Sequence, residues 1–301
     1  MKTPARTDPT AGSAELFYAE LTTRNTGVVS AEDQAVLGRA TVLVAGCGSI
    51  GGSAIEPLAR LGIQHFVLAD PGTYELNNLN RQNATYADID RNKAEVAAER
   101  IRAINPHAKV TVFPEGVTAE NVKELVTGVQ AVVDGVDVTT DSGWRAKLLL
   151  HEHVAAERLP LVTGWDMAGA QYVHAYDYRR PRRPLDGAVT PADLDRLGSW
   201  ELLRRLLPVR FVPVEMVRIA RANLRNPDFS FPQLVHAALM FGAISAHAVA
   251  QMLCGHPVRE HIYVDVHERV RPTSARWAAR AAWPREVVTL LRELRTLAPR
   301  A

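Results

Sequence analysis

Cysteine is nearly absent. The chain of 301 residues holds two, Cys47 and Cys254, with no CxxC pair, which excludes a disulfide framework and a thiolate zinc site and agrees with a reducing, cytoplasmic setting. Net charge is nearly absent too: 35 Lys and Arg stand against 33 Asp and Glu, a balance of +2. That is too small for the basic footprint of a duplex-binding protein, so no nucleic-acid partner is expected. Long apolar runs are lacking as well. MKTPARTDPTAGSAE at the start has no apolar core of signal-peptide length, and the most apolar later stretch, residues 236 to 254, is interrupted by His236, His247 and Gln251. It reads as a buried helix, and no membrane partner is expected. No repeat or low-complexity block is visible. What remains, 47% hydrophobic and 23% charged, is an ordinary globular composition, and a chain of this size buries roughly three quarters of its unfolded surface.

Residues 1–15 are rich in Thr, Pro, Ala and Gly without periodicity and read as a flexible tail. Ser30 with Asp33 caps a short helix ending near Gly38, and TVLVAG at 41–46 is a continuous apolar run suited to a strand buried on both faces. Helices at 52–61, 93–104, 118–126 and 141–158 then alternate with strands at 65–70, 108–113, 130–135 and 160–164. This alternation predicts an α/β fold: a doubly wound, Rossmann-like, mostly parallel sheet with helices on both faces. The grammar changes at 170–177, which alternates like a half-exposed strand, and 178–198 reads as a charged, proline-bearing loop facing substrate. Helices at about 200–207, 213–224 and 233–254, a strand at 261–266 and a helical stretch from about 283 complete the chain. The domain reading is a main unit over 16–270 with an antiparallel and helical C-terminal part, extended by helix over 271–301.

The sharpest local feature is G-C-G-S-I-G-G, where Gly46, Gly48 and Gly51 satisfy GxGxxG between a strand and a helix. Such glycines let backbone N–H groups approach a phosphate that the positive helix end also attracts. Asp70 lies nineteen residues past Gly51, at the end of the second strand, where an acid accepts ribose hydroxyl protons. Cys47, inside the loop, reads as a small residue packed in a tight turn rather than as a nucleophile. Taken alone, these features are also the fingerprint of a dinucleotide dehydrogenase.

The next residues, P-G-T-Y-E-L-N-N-L-N-R-Q, together with the glycine loop, resemble the ubiquitin-activating-enzyme superfamily in its bacterial ThiF/MoeB-type adenylyltransferase form, over roughly residues 24 to 180. The resemblance implies that Mg-ATP binds the glycine loop and that a carboxylate attacks the α-phosphate, giving an acyl adenylate and pyrophosphate. It assigns Asp70 to ribose, Asn78 to the asparagine of N-L-x-R-Q, Arg81 to phosphate, Lys93 to the lysine opening the next helix, and Asp137 to the metal-associated aspartate. It also implies a homodimer in which Arg24, upstream of the first strand, enters the partner's site, although the usual R-x-x-R-Q spacing is absent. Gly72 is a second departure, where many relatives carry another acid.

An Arg, a Lys and a metal-holding carboxylate are the types that phosphoryl chemistry needs, because positioning and neutralisation of the developing charge supply most of the acceleration. Each has a plainer reading: Lys93 as a solvated lysine, Arg81 as an ion-pairing arginine, and Asp137 or Asp141 as a helix cap. Asp134 and Asp137 both follow the strand QAVV, at the sheet edge where Mg²⁺ and phosphates are held.

The larger ubiquitin-type activators hand their partner to a cysteine in the crossover segment, yet this chain has no cysteine from residue 165 to 253. Cys254 reads as a packed thiol at a helix end. In G-W-D-M-A-G at 164–169, where relatives begin the carboxylate channel, Trp165 and Asp166 replace small residues. Asp166 is either an amino-group contact or a turn residue. R-R-P-R-R at 179–183 either guides an acidic carrier or lies in solvent. His151 and His153 point apart on a helix and form no metal pair. The reading is therefore an ATP- and Mg²⁺-dependent adenylyltransferase acting on a peptide or carrier-protein C-terminus or a small metabolite acid. The alternatives are an NAD-dependent oxidoreductase on the same fold, or a catalytically silent nucleotide-binding scaffold.

Overall fold

The computed structural model describes residues 13–226 and 229–297. Most of the expected tail, residues 1–12, lies outside the described residues, but Ala14–Leu21 already forms helix α1, capped by Ser13. Helix α2 (Ala31–Arg39) follows, with the Ser30 hydroxyl accepting from the Asp33 N–H at its start. From there strands and helices alternate: β1 (Thr41–Ala45), α3 (Ser49–Leu61), β2 (His65–Ala69), α4 (Lys93–Ile104), β3 (Lys109–Phe113), α5 (Val122–Val126), β4 (Ala131–Asp134), α6 (Asp141–Ala156) and β5 (Pro160–Met167). The sheet runs β3-β2-β1-β4-β5 with every neighbouring pair parallel. Strand order reverses between β1 and β4, the switch point where open sheets of this kind bind ligands.

Beyond β5 the chain doubles back. β6 (Ala170–Asp177) pairs antiparallel with β5, and β7 (His261–Asp265) closes the far edge antiparallel to β6. Between them come α7 (Pro191–Leu194), α8 (Ser199–Leu206), α9 (Val214–Asn223) and α10 (Val235–Leu253), and after β7 come α11 (Val266–Val270) and α12 (Thr273–Leu297). The mostly parallel, doubly wound sheet is as expected.

Alternation along each strand sends Val42, Val44 and Val133 to one face, against α3, α4 and α10, and Leu43, Val132 and Leu161 to the other, against α5 and α6. Each fully buried side chain of this size contributes roughly 1.5–3 kcal/mol. Helix α10 is long and apolar enough to cross a bilayer; here Ala237, Phe241 and Ser245 are buried and Phe241 presses on Gly164 of β5. The α3–α10 approach is unusually close. Pro57 inside α3 has no N–H for the Ser53 carbonyl, and Gly242 comes so near that a Cβ there would stand 2.2 Å from that oxygen.

Four element readings need correction. Strand β6, read as half-exposed, is buried from Ala170 to Tyr176, because β5 and β7 flank it and both of its faces are covered. α3 begins at Ser49 rather than 52, because the loop glycines continue into its first turn instead of ending it. Strand β5, expected to end at Gly164, continues to Met167, so Trp165 and Asp166 are strand residues with opposite facings. The last helix starts at Thr273 and runs through Pro284, ten residues before the expected start; α12 packs on α9 through Val217, Ala220, Val287 and Leu290.

Candidate functional site

The glycine loop is shaped by close backbone approach. Gly46 has φ +83°, and a Cβ on it would lie 2.2 Å from the Gly135 carbonyl; one on Gly51 would lie 1.9 Å from the Gly46 carbonyl. Both positions exclude side chains, and the α3 N-terminus is thereby drawn under the ends of β1 and β4. Gly48, the N-cap of α3, differs: the nearest atoms to its Cβ position belong to Gln82, 3.6 Å away. A Cβ there would be in ordinary contact with the Gln82 amide, and among the described residues no side-chain cap satisfies the first-turn N–H groups, which suits an anion there.

Asp70 follows β2 and is buried. Its Oδ2 accepts from the Cys47 N–H at 2.5 Å and its Oδ1 from the Gly72 N–H at 2.7 Å, so the carboxylate is clamped against the loop with one lone pair per oxygen still free. Burial nonetheless raises its pKa, opposed by those two hydrogen bonds and by Lys93. Lys93 is the first residue of α4, and Asn92, not Lys93, caps that helix. A Cβ on Gly72 would sit 3.1 Å from Asp70 Oδ1 and 3.5 Å from Lys93 Nζ. The departure at Gly72 therefore leaves room for the ammonium to lie close to Asp70. Buried Cys47 has its thiol pushed far up by burial and by Asp70, which makes it inert.

Among the described residues Arg81 has no acid partner. Its Nε donates to Gln233 Oε1 at 2.5 Å and its Nη1 to the Asn77 carbonyl and Asn80 Oδ1, neutral acceptors that hold the guanidinium. Burial lowers its pKa, opposed by Asp166 and Asp137, which share its surroundings. Asn78 is buried and its side chain accepts from the Glu75 N–H, building the turn that carries Arg81. Asp137 is exposed; its Oδ1 accepts from the Thr139 N–H, while Thr140, not Asp137 or Asp141, caps α6. Asp134 is committed elsewhere: fully buried, it pairs with the buried Lys147 and with His151 Nε2. Burial opposes its charge, yet Lys147 and His151 hold its carboxyl well below the ordinary range. That leaves Asp137 as the available carboxylate of the two.

Asp166, on β5, accepts from Ser49 Oγ at 2.6 Å. Burial pushes its carboxyl up to about 6, against the Ser49 hydrogen bond and Arg81, and its other oxygen is buried without a partner.

Arg24 stands apart. It lies in a 3₁₀ turn beside Asn25, which donates to the carbonyl of Leu61 at the C-terminal end of α3. The glycine loop is at the other end of that helix, roughly 18 Å away at 1.5 Å per residue, so Arg24 does not join the site of its own chain. Cys254, with its thiol pushed up to about 11 by burial and by Asp33, is no better a nucleophile than Cys47. In the basic run, Arg179 pairs with Asp177, and Arg182 with Asp186 and Glu260, so much of its charge is spent internally. His151 and His153 bond to different partners, Tyr178 and Asp134 for the first and the Leu149 carbonyl for the second.

Sequence reasoning missed Ser49 and Gln233, whose partners lie 117 and 152 residues away, and Lys147, whose partner Asp134 lies 13 residues away across a β–α turn. It could have found Gln82, which closes the N-L-N-R-Q motif; its Oε1 is buried without a partner.

The family model described as the ThiF family matches residues 22–182. The tRNA threonylcarbamoyladenosine dehydratase of Escherichia coli is 39% identical over 126 residues, 41% of this chain and 45% of its own length. The sulfur carrier protein ThiS adenylyltransferase of Bacillus subtilis is 31% identical over 134 residues, 44% of this chain and 38% of its own length. The chain thus spans less than half the length of these curated relatives. The crystal structure of the Escherichia coli tRNA N6-threonylcarbamoyladenosine dehydratase in complex with ATP superposes with a TM-score of 0.56 at 24% identity, covering 79% of this chain and 95% of that one, a likeness of fold.

Proposed function

The chain belongs to the ThiF family, and from that membership we propose that it is an ATP-dependent adenylyltransferase that activates a carboxylate as an acyl adenylate. The observation that carries the reading is one sheet rim bearing a clamped acid, Asp70, and two cations, Arg81 and Lys93, neither in an ion pair among the described residues. Arg81 is held by neutral acceptors and Lys93 lies over the Tyr74 ring, 5.8 Å from its centroid, so neither charge is spent on an acid there.

The free lone pairs of Asp70 receive the ribose hydroxyls, and the loop N–H groups and α3 N-terminus receive phosphate. A substrate carboxylate oxygen attacks the α-phosphorus in line, forming one P–O bond as the bond to the β-phosphate oxygen breaks and pyrophosphate departs. Arg81 and Lys93 neutralise the charge on the equatorial and departing oxygens. Asp137 fits Mg²⁺, since an exposed carboxylate combined with substrate phosphates is how that ion is usually held. When bound there the ion would add to the same neutralisation.

Arg24, remote from its own loop, is assigned to the site of a partner copy, which makes the active unit a homodimer, and the cysteine usage supports work in the cytoplasm. The names of similar proteins point to different objects, a tRNA nucleoside in one and the carrier ThiS in the other. Their common part therefore supplies the nucleotide chemistry and the rest the acceptor. For this chain the carboxylate is a peptide or carrier C-terminus or a small metabolite acid, captured without a thioester, since no cysteine lies between residues 165 and 253.

Titration calorimetry with Mg-ATP and NAD, followed by carboxylate-dependent exchange of pyrophosphate into ATP, tests the reading. Binding of ATP and exchange with at least one carboxylate are expected; NAD binding with none of ATP overturns it.

A further inference from the structure

At the far edge of the sheet, away from the glycine loop, a second set of polar side chains converges. His174 on β6 and His261 on β7 are directly opposed in the antiparallel register, so their imidazoles share one face and their ring centroids lie 4.6 Å apart. Glu260 immediately precedes β7. Its Oε1 is 3.3 Å from His174 Nε2 and 3.7 Å from His261 Nε2, and the three candidate ligand atoms all lie within 4.8 Å of one another. β7 is four strand spacings from β1 in the sheet, roughly 19 Å, so this cluster is separate from the nucleotide site.

We propose that His174, His261 and Glu260 form a binding site for a divalent transition-metal ion of the zinc class, with Asp186 as the fourth ligand. Bonds of about 2.0–2.1 Å in a tetrahedral ion place ligand atoms about 3.3 Å apart, close to two of the separations already present. The Tyr172 hydroxyl lies 2.8 Å from His261 Nδ1, the outer-shell contact that fixes a ligating imidazole with its Nε2 facing the metal. Asp186 Oδ2 is 3.8 Å from His174 Nε2. It is presented by a turn in which two successive non-glycine residues, Leu185 at φ 48° and Asp186 at φ 58°, are left-handed, a costly conformation that needs surrounding restraint.

At present the cation in the cluster is Arg182. Its Nη2 is 3.2 Å from His174 Nε2 and 2.5 Å from Glu260 Oε1, and the guanidinium also pairs with Asp186 while lying 4.7 Å from the centre of the Tyr176 ring. One guanidinium against two carboxylates leaves a net charge of −1. A divalent ion with neutral imidazoles, as ligation requires, brings the four ligands to zero and frees Arg182. The ion would clip the edge strand β7 to β6 and to the 184–187 turn. This site does not depend on the adenylation reading.

The test uses the full chain after chelator treatment, titrated with Co²⁺ alone as a spectroscopic substitute and then with Zn²⁺. Visible ligand-field bands of four-coordinate intensity should saturate at one ion per chain and be displaced by Zn²⁺, and Zn²⁺ should raise the melting temperature. His261→Gln, on the half-exposed edge strand, should abolish the bands and the Zn²⁺-dependent rise while melting like the parent without metal. Tyr172→Phe should weaken binding roughly 10–100-fold, and Arg182→Gln should tighten it. Absence of bands at equimolar Co²⁺, or an unchanged spectrum in His261→Gln, overturns the site; weaker binding in Arg182→Gln overturns the place given to Arg182 and the ion together.

Discussion

Substituting Lys147 by Met removes the buried ammonium that faces Asp134 and leaves a carboxylate with no measurable exposure to His151 and one backbone N–H from Val136. Stripping one partner from a buried pair costs about 3–5 kcal/mol, because the remaining charge is uncompensated. Unfolding entropy near the midpoint is about 2.1 cal/mol/K per residue, hence about 0.6 kcal/mol/K for 301 residues, so Lys147→Met should melt about 5–8 °C below the parent at neutral pH. The pH dependence is a sharper check. In the parent Asp134 lies well below its ordinary value, so the stability it contributes is present above about pH 4 and lost as pH falls through the folded value. In the variant burial is no longer opposed by Lys147 and lifts the carboxyl, and the resulting penalty grows as pH rises. The gap between the two proteins should be widest at neutral pH and narrow toward pH 4. Adding Asp134→Asn to Lys147→Met should recover part of the loss. Melts followed by circular dichroism across that range decide it: a gap that is absent, or equally wide at both ends, would refute the account of a buried pair bracing the end of β4.

Arg81→Ala and Lys93→Ala should each slow carboxylate-dependent pyrophosphate exchange roughly 10²–10³-fold, the usual loss for one charge-stabilising donor, with melting nearly unchanged since neither cation is in an ion pair; exchange at parental rates removes both from the chemistry. Asp166 has a raised folded pKa of about 6, so its favourable contribution is present below about pH 4 and lost as pH rises through 6. Asp166→Asn should therefore be the more stable protein at neutral pH, by up to about 3 kcal/mol, with the advantage vanishing in acid; a pH-independent difference in melting would contradict this. Arg24→Ala and Arg81→Ala should each be strongly slowed alone and regain exchange activity when mixed, because a hybrid dimer holds one intact site; no recovery on mixing places Arg24 outside the partner's site.

The placement of the glycine loop, Asp70 and Lys93 was legible because short spacings on consecutive β–α units make a strand's end and the next helix's start fixed neighbours. The start of α3 was misread because glycine is a poor helix former in general, while Gly51 is needed in the first turn for its approach to the Gly46 carbonyl. The length of α12 was misread at Pro284, which the packing against α9 carries through. Ser49 meeting Asp166 spans 117 residues, and Arg81 meeting Gln233 spans 152. No local pattern announces either contact.

By itself the sequence determined the parallel α/β order, the tight glycine turn between β1 and α3 and the acid that follows β2, since hydrophobic period and motif spacing act over a few residues. Only the tertiary structure decided which aspartate after β4 is free and which is locked to Lys147, that Asp166 is a buried strand residue with an unpartnered oxygen, that Arg24 lies a helix length from its own loop, and that two histidines and a glutamate meet across β6 and β7. These depend on how crossovers and a returning hairpin bring distant segments together, and burial then sets which charges are compensated and which remain available.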